Sequence, residues 1–223
     1  MDELRRAYHD RIAELKARVG SLVGATAQAV ERLTTALLER DTGGCDDLLA
    51  TVALLTDEPK RIEDEVLDVL AREAPVARDL RVVLSSLFIA QGAGLCLGLV
   101  RTLAARVGLA DDVLTPTLRA LAYEIGAETV ELLRLDGAAW ATLDADRAAG
   151  AIDLAVHSRT LQRRFLATLL ELDGVRVESA VDLGMMARAY ERLTDHAVEI
   201  GGRVVFAATG SPPAADALAG DGR

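Results

Sequence analysis

The sequence predicts an all-α protein, built as two tandem three-helix bundles related by an internal repeat. Three observations carry that expectation. Apolar residues recur at helical spacing over long stretches, and no stretch alternates with a period of two. The breaks between stretches gather Gly, Pro and Asp. The chain also resembles itself when shifted by 95–97 residues, the signature of a duplicated unit. Composition agrees: 51% hydrophobic, 27% charged and only 3% aromatic residues, with Ala, Leu, Val, Glu and Arg prominent, is globular and favours helix.

The first helix is expected over 3–40, where Leu4, Ile12, Leu15, Val19, Leu22, Val23, Val30, Leu33 and Leu37 fall on one face. Asp41-Thr42-Gly43-Gly44 ends it, since these residues stop helices. A second helix is predicted over 46–73, with a bend at Asp57-Glu58-Pro59, and Pro75 marks the turn into a third over 76–107. Further helices follow over 112–136, 142–172 and 176–208. The last stretch, TGSPPAADALAGDGR, has the composition of a disordered tail. The organisation is thus a first repeat over 1–108, a second over 109–208, and a tail over 209–223.

The repeat decides the nature of the most apolar stretch. Residues 82–100 carry no charge and include Gly94-x-x-x-Gly98, which by length alone fits a membrane span with a helix-contact notch. A shift of 95 lays LLERDTGGC (37–45) over LLRLDGAAW (132–140). A shift of 97 brings Leu84 onto Val181, Ala90 onto Ala187 and Leu103 onto Ile200, so the apolar stretch is the counterpart of an amphipathic helix. Ser85, Ser86 and Gln91 dilute it, and Arg78, Asp79 and Arg81 precede it closely. It is therefore expected as a buried helix of a soluble bundle, with Gly92, Gly94 and Gly98 allowing close packing, and not as a membrane insertion.

Other chemistry is limited. A net charge of −10 repels a phosphate backbone, so nucleic acid is not an expected partner. Cys45 and Cys96 stand apart from any Cys/His cluster and are expected as buried thiols. The opening residues are charged and amphipathic without a signal-peptide core, which places the chain in the cytoplasm. His9, His157 and His196 lack the spacing of a carboxylate–histidine di-iron bundle, and His196 is expected on a helix surface. No nucleophile elbow, phosphate loop or dinucleotide turn is present, so the chain is not expected to be an enzyme.

One constellation stands out. Glu191 and Asp195 lie one turn apart on one helix face, and Glu199 extends the stripe. Oxygen ligands so placed suit a hard cation or iron. Equally, Arg188 and Arg192 are spaced to neutralise them as an ordinary solvated face.

The surrounding residues add a resemblance. VDLGMMARAYERLTDHAVEIGGRVVFAATG resembles the final helix of the PhoU family of phosphate-signalling regulators, with its E-R-x-x-D-H-A core. APVARDLRVVL is similar to the opening of that family's third helix, LLERD to the end of its first, and RVVFAATG to actinobacterial members. The resemblance implies two tandem three-helix bundles and an E/D-x-x-x-D motif in the third helix of each repeat, able to line metal clusters. Glu191 and Asp195 supply the second motif. Gly94 and Gly98 stand where the first belongs, and His157 and Arg159 stand where further carboxylates are usual. Any metal, iron or zinc, is then expected as one weakly held ion at Glu191 and Asp195. The resemblance also implies a cytoplasmic adaptor, expected as a homodimer, between the ATPase subunit of the phosphate ABC transporter (Pst) and a sensor histidine kinase, repressing phosphate-starvation genes and limiting phosphate uptake. The competing class is a metal-binding helical bundle without a signalling role.

Overall fold

A computed structural model describes residues 2–107 and 114–211, and among them only helices and short turns occur. The helices are α1 (Asp2–Glu39), α2 (Thr42–Leu55), α3 (Glu58–Glu73), α4 (Ala77–Ala104), α5 (Pro116–Thr142), α6 (Ala145–Leu170) and α7 (Val177–Thr209). The predicted second helix is two helices. Proline lacks an amide donor and its ring clashes with the preceding turn, so Pro59 is accommodated only near a helix start, and α2 stops before it. The expected bend is a full break.

Local chemistry explains the remaining boundaries. The Asp41 carboxylate accepts the Gly44 amide at 2.9 Å and opens α2. Asp144 does the same for α6, accepting Arg147 N–H at 3.0 Å, and Thr115 caps α5 ahead of Pro116. Residues with positive φ close four helices among the described residues: Arg40 after α1, Ala74 after α3, Leu143 after α5 and Gly210 after α7.

These caps correct one piece of the sequence alignment. The 95-residue shift set Asp136 over Asp41 as a helix end. Asp136 lies inside α5, which runs on to Thr142. The residue that does for α6 what Asp41 does for α2 is Asp144, a shift of 144 − 41 = 103. The predicted repeat boundary at 108/109 falls outside the described residues, as does the tail from 212 onward. Helix α7 ends one residue into the predicted tail.

Helices α1, α4, α5 and α7 form a central layer in which α1 packs on α5 and α4 packs on α7. Helices α2 and α3 cover α1 and α4 on one side, and α6 covers α5 and α7 on the other. One continuous apolar core runs through all of them, from Leu15 and Val66 to Phe165 and Val204. Gly126 seats α5 against Thr34 of α1, and Trp140, fully buried, donates its Nε1–H to the Lys16 carbonyl at 2.9 Å. Both cysteines are free and buried.

Helix α4 is long and apolar enough to cross a membrane, but more than half of its most apolar window is buried against other helices of the chain. The glycines do part of the expected work. A Cβ on Gly94 would lie 2.9 Å from Cγ of Pro59, and one on Gly92 would lie 3.1 Å from Ile200. Gly98 does not take part in close packing, since nothing lies within 4 Å of where its Cβ would be.

Candidate functional site

The helical repeat of α7 sets Arg188, Glu191, Asp195 and Glu199 along one outward face, three or four residues apart. Arg188 pairs with Glu191 Oε2 at 2.5 Å. Arg159 reaches across from α6 and donates to Asp195 Oδ1 at 3.1 Å; its own side chain is largely buried while Asp195 is half exposed. Arg159, which stands where the resemblance implies a carboxylate, is therefore in contact with the stripe. Both carboxylates are held by guanidinium groups, which are permanently charged and suited to carboxylate oxygens.

Beside the stripe His157, exposed on α6, places Nε2 3.2 Å from Oε1 of Glu128 on α5. The other Glu128 oxygen is buried and has no partner. Burial pushes this carboxyl above the usual range, His157 opposes the shift and Glu124 adds to it. His196 departs from its surface expectation: its side chain is largely buried, Nδ1 lies 3.3 Å from Glu199, and Nε2 is buried without a partner.

Under the stripe lies a polar cluster that periodicity did not reveal. Thr194, between the two carboxylates in sequence, points inward and donates to the Tyr190 carbonyl at 3.1 Å. Its oxygen accepts the Gln162 amide at 3.1 Å and lies 3.3 Å from the Ser158 hydroxyl. One turn earlier Tyr190 is 2.7 Å from the Thr34 hydroxyl, joining α7 to α1, and burial pushes its phenol well up. The signal was present in ERLTD, since a residue three past Glu191 and one before Asp195 sits off the stripe and toward the core.

Gly94 and Gly98 have other chemistry around them. They border an open groove of about 350 Å³ between α2 and α4, lined also by Val52, Leu55, Thr56, Leu97 and Arg101. No carboxylate lines it, and its one charge is a cation. Among the described residues, no three His, Cys, Asp or Glu side chains converge as metal ligands would. A multinuclear cluster needs several oxygen donors free of competing cations. The residues present do not fit such a cluster at either position.

What the geometry defines is an all-helical bundle with a charge-paired face on its last helix and a groove without carboxylates beside Gly94 and Gly98 of α4. Its relatives say which bundle. The chain is 32% identical to the phosphate-specific transport system accessory protein PhoU homolog 1 of Mycobacterium leprae, over 97% of this chain and 99% of that protein. It is 31% identical to the PhoU homolog 2 of Mycobacterium tuberculosis, over 94% and 100%. The chain belongs to the PhoU family. No family model matches it. The fold agrees with the crystal structure of the phosphate transport system regulatory protein PhoU from Streptococcus pneumoniae at a TM-score of 0.83, covering 92% of this chain and 99% of that one at 17% identity. PhoU from Pseudomonas aeruginosa matches at 0.73, over 92% and 100%, at 20% identity.

Proposed function

We propose that this protein is a cytoplasmic, non-enzymatic accessory protein of a phosphate-specific transport system. It acts as an adaptor between the ATPase subunit of the phosphate ABC transporter and a sensor histidine kinase, limiting uptake and repressing starvation genes when phosphate is plentiful. The observation that carries this reading is the end-to-end match to relatives named as accessory proteins of phosphate-specific transport. The duplicated organisation over 1–108 and 109–208 belongs to the same proposal, as does self-association into a homodimer.

On this reading the Glu191–Asp195 stripe serves as a salt-bridged surface offered to partners. It holds at most one weakly bound ion, because Arg159 and Arg188 each take one carboxylate oxygen and bring positive charge beside the other. Gene deletion tests the role: phosphate uptake and starvation-gene expression should rise in phosphate-rich medium and return to normal on complementation. Unaltered uptake and expression, with no paralogue to compensate, would contradict it. Elemental analysis after dialysis should find fewer than two metal ions per chain; three or more tightly held ions would favour the metal-binding bundle instead.

A further inference from the structure

Among the described residues, Asp136 is a carboxylate buried inside a helix with both oxygens unpartnered. It lies in the interior of α5 with 1% of its surface exposed. Its surroundings are fitted to it. A Cβ on Gly201 of α7 would stand only 2.7 Å from Oδ1 and 3.6 Å from Cγ, so the carboxyl fills the space a side chain would take. On α6 the Ala148 carbonyl lies 3.5 Å from the same point. From α4 the Cys96 thiol is close enough to feel the carboxyl, and on α1 the apolar Val23 packs beside the next residue, Gly137.

The charge inventory at this junction is correspondingly short. Cys96 is the titratable neighbour; burial first, then Asp136 and Glu199, push its thiol up to about 12, so it stays neutral. Against the Asp136 carboxyl α7 presents Gly201, whose Cβ position also lies near the Ala148 carbonyl of α6, and α1 brings the uncharged Val23 beside the neighbouring Gly137. Among the described residues no cation compensates an ionised carboxylate there, and burial drives the Asp136 carboxyl well above the ordinary aspartate range.

We propose that Asp136 is a proton-dependent latch at the junction of α4, α5, α6 and α7: protonated, it seats against Gly201 and lets the helices close, and ionised, it drives α7 away from α5. Its consequence reaches the surface, because α7 also carries the Glu191–Asp195 stripe. An isolated unfolded aspartate loses its proton near ~3.9, whereas the closed bundle retains it. Above that value the unfolded and opened states gain population. The residue's stabilising effect is therefore full below about pH 4 and is lost as pH rises toward the folded-state value, at up to about tenfold in the folding equilibrium constant per pH unit.

The test compares the full chain with Asp136→Asn, which keeps the shape and cannot ionise. Denaturant midpoints are read from pH 5 to 8, with the rate at which a thiol reagent modifies Cys96 as a local probe. The wild-type midpoint should fall relative to the variant as pH rises. The wild-type-to-variant ratio of Cys96 labelling should climb over the same range, by at least tenfold. Parallel midpoints and a constant ratio would overturn the latch. Should the variant not fold, the ¹³C signal of the Asp136 carboxyl decides: a protonated shift at pH 7 is expected, and an ionised one at pH 7 would overturn it.

Discussion

At the scale of single residues, the site divides into groups that matter to stability and groups that do not. Glu191 and Asp195 are partly exposed and paired with arginines; such pairs contribute ~0–1 kcal/mol. Replacing both by alanine is therefore expected to shift unfolding free energy by about 1 kcal/mol or less, with or without chelator, measured by thermal or denaturant melts. Thr194 is the opposite case. Thr194→Val leaves the Gln162 amide and Ser158 hydroxyl buried without their shared acceptor, at about 1–3 kcal/mol. A loss below the error of the melt would mean that solvent reaches the cluster. The stripe was legible in the sequence because spacing alone puts two carboxylates on one face. Glu128 and Asp136 were not, because an isolated acid in a helix gives no sign of which way it points. The expected helix end at 136 sets Asp136 at a boundary, whereas α5 runs on to Thr142.

At the scale of elements, sequence periodicity locates the helical stretches among the described residues but merges α2 and α3 into one. Pro59 is the joint between α2 and α3, and it is also what makes Gly94 indispensable, since its ring occupies the place of any larger side chain there. Gly94→Leu should overpack that contact and cost about 1–3 kcal/mol, read as a lower melting temperature. An unchanged melt would place this face of α4 in the open. Ala74 closes α3 with φ of 44°, a conformation that penalises a Cβ. Ala74→Gly should raise stability by a few tenths to about 1 kcal/mol; a fall would mean that the alanine methyl makes a contact outweighing the backbone strain.

At the scale of the whole molecule, the fold class is readable because helical period and chain breaks point to the same helices, and tertiary packing follows them. The groove beside Gly94 and Gly98 was not readable, because it depends on how α2 stands off from α4 rather than on any local pattern. Burial of most of the α4 apolar window by neighbouring helices predicts a protein that stays in solution without detergent. Recovery in the membrane fraction after a high-salt wash would contradict that.

The central claim is that the chain works through its surfaces on the phosphate-transport machinery. Affinity purification of the tagged full chain from phosphate-rich and phosphate-starved cells tests it most directly. The account predicts that the transporter ATPase subunit, the sensor kinase or both co-purify, in amounts that change with phosphate supply. Recovery of the chain with neither protein under both conditions would contradict it.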